Sequence, residues 1–508
     1  MRGGSDESKE AMRLKELLRD LTTKTVSGPD DVEITQVAYD SRKVKPGAVF
    51  FSVAGLRTDG LAYVKDAASS GAVAVVLDRD VAVGGATRVL VPDVRTALAQ
   101  AACAFHGHPS RTLKTVGITG TNGKTTVSYL VRSICAEAGF KAGVVGTIGY
   151  DLGDVKLKGA HTTPEAPDFQ ELLAGMVKRG MTHAAVEVSS HALAQRRSYG
   201  TEFDVAVFTN LSRDHLDYHH TFEEYRGAKL KLFTKEERGS VRKSPVSVLN
   251  ADDRAFPAFR DASVASGDPV CVYSLAGAAD VAATDVELLP GGSSFSLVWK
   301  GEALRVRLSI PGVFNVMNAL AGFGAGVSLG IDADRVVAGL EALKGVKGRI
   351  ERVDMGQDFS VFIDYAHTPD ALGNILKTVR QITKRELVCV FGCGGDRDRG
   401  KRNEMGAVSG GLADLTIVTS DNPRSEEPLS IIAQIEEGLK RAGGRYSVVP
   451  DRREAIKSAL AGARPGDSVV IAGKGHEDYQ IVGKEVRHFD DREVAEEFLC
   501  ARRESRAN

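Results

Sequence analysis

Cysteine is scarce in this sequence. Six of them, Cys103, Cys135, Cys271, Cys389, Cys393 and Cys500, are scattered through 508 residues, which excludes a disulfide framework. Cys389 and Cys393 make the one close pair. Their spacing is not Cys-x-x-Cys, and no second pair completes a zinc site. Excess charge is missing too. Lys and Arg number 66 against 67 Asp and Glu, a formal net charge of -1, so nothing draws the chain globally to nucleic acid or an anionic membrane. No apolar run reaches the roughly 18 residues that cross a bilayer. The opening segment Met1–Glu10, MRGGSDESKE, has no apolar signal core and reads as a flexible tail. Together these absences predict a cytoplasmic protein in a reducing compartment, without membrane insertion and without a nucleic-acid partner.

What is present is an ordinary globular composition, 43% hydrophobic and 26% charged. At about 150 residues per domain the length predicts three domains. Short Val/Ile/Ala-rich runs recur between amphipathic stretches: Ala72–Leu77, Thr115–Ile118, Ala184–Val188, Asp204–Phe208, Glu386–Phe391, Leu415–Thr419 and Ser468–Ala472. Continuous apolar strands of this kind suit a parallel sheet covered on both faces, and their alternation with helices predicts an α/β fold. The turn-rich His106-Gly-His-Pro-Ser110 and the segment Gly345–Val353 divide the chain into expected domains 1–112, 113–347 and 348–508.

The strongest local signal is Gly117-Ile-Thr-Gly-Thr-Asn-Gly-Lys-Thr-Thr126, after one strand and before a helix. Backbone amides of such a loop cradle phosphates, with Lys124 reaching the β/γ-phosphates and Thr125 offering its hydroxyl to Mg²⁺. The strict template asks for glycine where Ile118 stands. Gly392-Cys-Gly-Gly-Asp396 also follows a strand, and a plain turn explains it as well as a phosphate loop does. Further polar segments are Thr162-Thr-Pro164, Glu187-Val-Ser-Ser-His191, Asn210–His219 and Tyr225–Phe233. Carboxyl ends of strands line the ligand crevice of an α/β sheet, so Glu187 and His215 are expected to face the same pocket as Lys124.

With these motifs the chain resembles the Mur ligases, ATP-dependent amide-forming enzymes that build the peptidoglycan precursor. Gly120-Thr-Asn-Gly-Lys-Thr-Thr126, including its departure from the strict template, matches that family's phosphate loop. Asp214-His-Leu-Asp217, Pro311–Asn318, Gly348-Arg349 and Asp364-Tyr-Ala-His-Thr-Pro369 match further motifs in the same order. Within the family, Asp40-Ser-Arg42, Leu56-Arg-Thr-Asp-Gly60, Asp421-Asn-Pro-Arg424 and Gly473-Lys-Gly-His-Glu477 resemble the members that add 2,6-diaminopimelate to a UDP-muramoyl dipeptide. The resemblance implies an N-terminal UDP-binding domain, a central ATPase domain and a C-terminal Rossmann-like domain, acting as a monomer with ATP and Mg²⁺.

The same resemblance implies roles for individual residues. Gly120, Thr121, Asn122, Gly123, Lys124, Thr125 and Thr126 would hold the ATP phosphates, Asn315 and Asn318 would lie near adenine, Asp364 near the ribose, and Arg349 would bridge to phosphate. Thr125 and Glu187 are the candidate ligands for one Mg²⁺ and His215 for a second, joined by Lys229 as a carbamate, while Lys231 is a surface lysine. Ser41, Leu56, Arg57 and Thr58 would contact the uridine diphosphate, and Thr162, Thr163, Ser189, Gln195 and Arg197 the sugar-peptide path. Arg397, Asp421, Asn422, Pro423, Arg424, Gly473 and Glu477 would take meso-diaminopimelate, with Arg424 reading the carboxylate that lysine lacks. Taken by residue type alone, Asn315 and Asn318 fit capping hydrogen bonds and the Asp421–Arg424 tetrapeptide fits a turn. A lysine-adding ligase and a folate polyglutamating ligase are the competing enzymes. A nucleotide-dependent switch is the competing class.

Overall fold

The computed structural model describes residues 12–21, 24–55, 58–159, 161–239, 243–289 and 291–507, the side chains of 504–507 excepted. The expected tail over Met1–Glu10 and the candidate contacts Leu56 and Arg57 lie outside the described residues. Among the described residues, three mostly parallel sheets follow one another along the chain. The first has five strands in the order Thr25–Ser27, Thr87–Leu90, Ala74–Leu77, Ala48–Phe51, Gln36–Ala38. All its neighbours are parallel except Thr25–Ser27 with Thr87–Leu90.

The second sheet has eleven strands. Its centre is the strand Lys114–Thr119, flanked in parallel by His183–Glu187 and Val205–Phe208. The run continues in parallel through Val246–Asn250 and Val270–Ser274. It ends in an antiparallel meander of Val281–Leu289, Gly292–Trp299 and Glu302–Leu308. The parallel strands are buried along nearly their whole length because helices cover both faces. On one face Ile118 and Val207 pack with Leu130, Ile134 and Leu320. On the other, Phe208 stacks on Phe259 with ring centroids 3.8 Å apart.

The third sheet orders Glu351–Val353, Ser360–Asp364, Ser468–Ala472, Leu387–Phe391, Leu415–Val418, Tyr446–Val448. Only its first pair is antiparallel. A separate hairpin, Tyr479–Val482 with Glu485–His488, follows the last central strand. Each predicted apolar run is a strand in these sheets. No described helix is long and apolar enough to cross a membrane.

Candidate active site

The phosphate loop leaves the strand Lys114–Thr119 and enters the helix Lys124–Glu137. Gly120 sits at φ +148, and a Cβ there would run into the Thr209 hydroxyl; only glycine lets the loop pass that close. The loop is tied to the next strand end by Asn122 N donating to Asn210 Oδ1 at 3.0 Å and Thr121 N to Asn210 O at 2.9 Å. Two lysines converge on it. Lys124 Nζ donates to Gly120 O and Thr121 O, both at 2.8 Å. Lys229 Nζ donates to the same Gly120 O at 2.7 Å.

Lys229 lies on the helix Phe222–Leu230 and is 1% exposed, with its Nζ 4.6 Å from the Tyr225 ring centroid. Burial, then the Lys124 charge, holds its amine well below the usual lysine range. Lys124 is lowered in the same direction, by its own burial against the attraction of Glu187. Lys231 begins the next turn and is half-buried.

Glu187 ends its strand fully buried. Its carboxylate accepts from Thr125 Oγ1 at 3.0 Å, Thr147 Oγ1 at 2.9 Å and Thr147 N at 3.0 Å. These are neutral donors around a buried anion, which leaves an oxygen-rich corner suited to a hard divalent cation. His215 starts a short helix in the left-handed conformation, φ 56, its Nε2 3.4 Å from Asp214 Oδ2. Burial drives its pKa down to about 4 against the pull of Asp214, so the ring is neutral at pH 7 and keeps a nitrogen lone pair. Among the described residues no three His, Cys, Asp or Glu side chains converge as a metal cage of their own. A cation beside Glu187 and Thr125 would complete its shell from phosphate and water, as Mg²⁺ commonly does.

The third sheet closes over this site. Arg349 Nη2 donates to Thr125 Oγ1 at 3.1 Å, and its guanidinium lies 4.8 Å from the Tyr365 ring centroid. Asp370 Oδ2 accepts from Asn122 Nδ2 at 2.9 Å and Ser212 Oγ at 3.1 Å. A cavity of about 510 Å³ between the two sheets is lined by residues 121–126, Thr162, Glu187, Ser189, His215, Lys229, Asn315, Asn318, Arg349 and Asp364. The wall also includes Asp214, Tyr225, Tyr365 and His367, which lie inside quoted motifs but were given no role, and Thr147 and Tyr273, which sequence reasoning did not single out. Thr147 has no motif around it and joins the site through Glu187 and through Thr162, whose Oγ1 lies 3.1 Å from its own. Asn315 Nδ2 donates to Pro311 O at 2.8 Å and Asn318 Nδ2 to Asn315 Oδ1 at 3.1 Å, while the N-cap of their helix is Gly312. Both Asp364 oxygens accept backbone amides, from Ile350 at 2.7 Å and Ala366 at 2.8 Å, so this carboxylate organises the cavity wall.

The other candidates form separate groups. Ser41 and Thr58 follow the paired strands Gln36–Ala38 and Ala48–Phe51 of the first sheet. That sheet leans on the second through Tyr39 OH to Asp168 Oδ2 at 2.6 Å. Thr163 Oγ1 donates to Glu187 O at 2.7 Å and accepts from Ser189 N at 3.1 Å. Arg197 is held by Gln195 Oε1 at 2.7 Å, Thr163 O at 2.9 Å and Glu165 at 2.9 Å.

The third group occupies the carboxyl ends of the third sheet. Asn422 Nδ2 donates to Glu477 Oε2 at 2.8 Å, and Arg424 Nη1 to Gly395 O at 2.8 Å. Gly473 turns at φ +110, where a Cβ would lie 2.8 Å from Asp421 Oδ2. A methyl on Gly394 would lie 2.9 Å from Arg424 Nη1 and 3.7 Å from Arg397 Cγ, so the glycine-rich turn after Phe391 packs between the two arginines. The backbone of Arg424 joins the hairpin by Arg424 N to Ile481 O at 3.1 Å and Gly483 N to Arg424 O at 2.8 Å.

Comparison with known proteins points one way. Three family models match the chain: "Mur ligase family, catalytic domain" over residues 33–106, "Mur ligase middle domain" over 118–326 and "Mur ligase, glutamate ligase domain" over 348–475. The UDP-N-acetylmuramoyl-L-alanyl-D-glutamate–2,6-diaminopimelate ligase of Syntrophomonas wolfei is 45% identical over 96% of this chain and 99% of its own. A solved structure of a ligase of that name is 33% identical, with a TM-score of 0.69 over 97% of this chain and 99% of the other. A Mycobacterium tuberculosis folylpolyglutamate synthase reaches a TM-score of 0.60 at 21% identity over 74% of this chain and 92% of the other, a likeness of fold alone.

Proposed function

Because the chain belongs to the Mur ligase family, we propose that it is the ATP-dependent ligase that adds meso-2,6-diaminopimelate to UDP-N-acetylmuramoyl-L-alanyl-D-glutamate. A carboxylate is a poor acyl donor. The γ-phosphoryl of ATP passes to the glutamate carboxylate, giving an acyl phosphate and ADP. The diaminopimelate amine then attacks that carbonyl carbon, an amide forms, and inorganic phosphate leaves with a proton released. The protein must offset charge on the transferring phosphoryl, align the reactants and exclude water.

Lys124 and the amides of residues 120–126 hold the phosphates, with Arg349 arriving from the third sheet. Asn315, Asn318 and Asp364 shape the nucleoside end. Thr125 and Glu187 would hold one Mg²⁺ and His215 a second, with the Lys229 carbamate as a further oxygen donor, and the metal would supply neutralisation of phosphate charge. The carbamate reading is supported by the shared acceptor: two ammonium groups on Gly120 O repel, whereas a neutral Lys229 amine adds CO₂, releases a proton and becomes an anion beside Lys124. Ser41, Leu56, Arg57 and Thr58 hold the uridine diphosphate. Thr162, Thr163, Ser189, Gln195 and Arg197 guide the muramoyl peptide. Arg397, Asp421, Asn422, Pro423, Arg424, Gly473 and Glu477 receive diaminopimelate. The enzyme works as a monomer in the cytoplasm, in peptidoglycan precursor synthesis.

The observation that carries the substrate assignment is the preformed cluster of Asp421, Asn422, Arg424 and Glu477, on a chain whose diaminopimelate-ligase relative matches it over 96% of its length. Phosphate release with the muramoyl dipeptide nucleotide and a panel of amino acids tests it. Release should require both the nucleotide and an amino acid, and should be fastest with meso-diaminopimelate. Hydrolysis without them, or equal use of lysine, would overturn the reading.

A further inference from the structure

Lys474 is the fully buried lysine of the third sheet, 0% exposed, in the turn after the strand Ser468–Ala472. A buried ammonium must be compensated by partners at hand. Lys474 Nζ donates to Asn422 Oδ1 at 3.2 Å and lies 3.3 Å from Glu477 Oε2. The face of the Tyr479 ring is 5.5 Å away. Asn422 then spans both neighbours. Its Oδ1 accepts from Lys474 and from Ile481 N at 2.9 Å, while its Nδ2 donates to Glu477 Oε2 at 2.8 Å. One ammonium therefore fixes one oxygen of Glu477 and the amide orientation of Asn422 together.

The other nearby buried cation is already committed. Arg452 is held by Asp491 at 2.7 Å, by Ala472 O at 3.0 Å and by Ser420 O at 3.4 Å. Lys474 is thus the direct counter-charge for Glu477, which stands beside a second carboxylate, Asp421. Glu477 Oε2 is taken up inside the cluster and Oε1 remains to receive a ligand's ammonium.

From this arrangement we infer that Lys474 is a positioning residue for amino-acid specificity: it holds Glu477 and Asn422 in the geometry that receives the amino-acid substrate, without touching the substrate itself. The inference rests on the assignment of the Asp421–Glu477 cluster as the amino-acid site. It adds a further expectation. Burial, then Asp421, pushes the Glu477 carboxyl up, and Lys474 opposes both. Asp421, Asn422, Lys474, Tyr365, Tyr479 and Arg452 surround it. Removing the lysine charge leaves burial and Asp421 opposed at short range by the Asn422 hydrogen bond without a cation, so Glu477 takes up its proton at higher pH.

The test is Lys474→Met, close in volume and uncharged, read by steady-state kinetics against all three substrates. The KM for diaminopimelate should rise on the order of tenfold or more, as when a buried charged partner is lost. The KM values for ATP and the nucleotide substrate should stay within about twofold, the uncertainty expected when distant sites are independent. The acid limb of kcat/KM for diaminopimelate should move to higher pH. The Lys474→Met/Glu477→Gln double variant removes the Glu477 charge together with its counter-charge and, with Asn422 Oδ1 still held by Ile481 N, should match Glu477→Gln alone, because one residue acts through the other. An unchanged diaminopimelate KM in Lys474→Met, an equal rise for all three substrates, or a double variant worse than Glu477→Gln would overturn the inference. If Lys474→Met does not fold, the double variant decides by the same comparison. A native enzyme that ignores diaminopimelate would instead sink the site assignment.

Discussion

The two ligand regions are built in opposite ways. Around the phosphate loop the groups are cationic and held mainly by backbone: Lys124 and Lys229 rest on carbonyl oxygens, and Gly120 lets the chain turn tightly. Such a site is shaped for an anion whose charge changes during reaction. Around Asp421–Glu477 the side chains of Asn422, Lys474 and Glu477 are already bonded to one another, and Arg424 is held by the Gly395 carbonyl. That geometry is fixed before a ligand arrives and suits discrimination, since a wrong ligand leaves buried groups without partners. On the proposed function the first region serves chemistry and the second serves choice, so damage to each should read out differently.

The largest effect belongs to Lys124→Ala. It removes the cation nearest the transferring phosphoryl and should cut kcat by roughly a thousandfold, the upper range for losing one preorganised donor, while the thermal midpoint stays close to native. Near-native turnover would show that the charge is supplied from elsewhere and would break the comparison on its first side. Lys229→Ala should cost on the order of a hundredfold, and short carboxylic acids in the buffer should restore part of the activity by supplying the missing carboxylate. Lys231→Ala should stay near native. Matching behaviour of the two variants would refute the carbamate.

Arg424→Ala should act on choice. With the native enzyme, kcat/KM should favour meso-diaminopimelate over L-lysine by about a hundredfold, the size expected when a site's charged group is left unpaired by the wrong substrate. The variant should lose most of that ratio while its use of ATP changes little. An unchanged ratio would move the discrimination to another residue, with Arg397 next, since it flanks the same glycine turn.

How much of this was legible in the sequence depended on how local each signal is. The continuous apolar runs marked the parallel strands because both faces of such strands are covered. The meander Val281–Leu308 escaped that reading because its outer strands carry charges and exposed positions, as in Glu302–Leu308, and its middle strand Gly292–Trp299 is serine-rich. The glycine-rich loop revealed itself by residue type and order. By contrast, Asn122 meeting Asp370 and Arg349 meeting Thr125 join residues 248 and 224 apart in sequence, and no local pattern encodes them. Lys474 was visible inside a motif, yet its task depends on burial and on Asn422, which only the folded chain supplies. Asp364 lies inside a motif, yet its place in the cavity wall depends on the amides its oxygens accept, one of them from Ile350 fourteen residues away.

The smallest effect tests whether the amino-acid region owes its shape to itself or to closure of one sheet on the other. Lys158, beyond the edge of the central sheet, reaches Asp478 at 2.6 Å and stands 5.4 Å from the Tyr479 ring centroid. Asp478 directly follows Glu477, so this is an inter-sheet tie beside the amino-acid cluster. The side chains are 69% and 42% exposed. An ion pair that open to water contributes about 1 kcal/mol at most, because solvent screens it and two long side chains must be ordered. If the cluster is set by Lys474, Asn422 and Glu477 themselves, Lys158→Ala should raise the diaminopimelate KM by no more than about fivefold, the ratio that roughly 1 kcal/mol allows. The difference from native should shrink as salt is raised, since exposed charges are screened within about 10 Å at 0.1 M. A loss beyond tenfold that salt does not reduce would mean that the central sheet shapes the amino-acid site, and the division between a responsive phosphate region and a self-contained recognition region would fail.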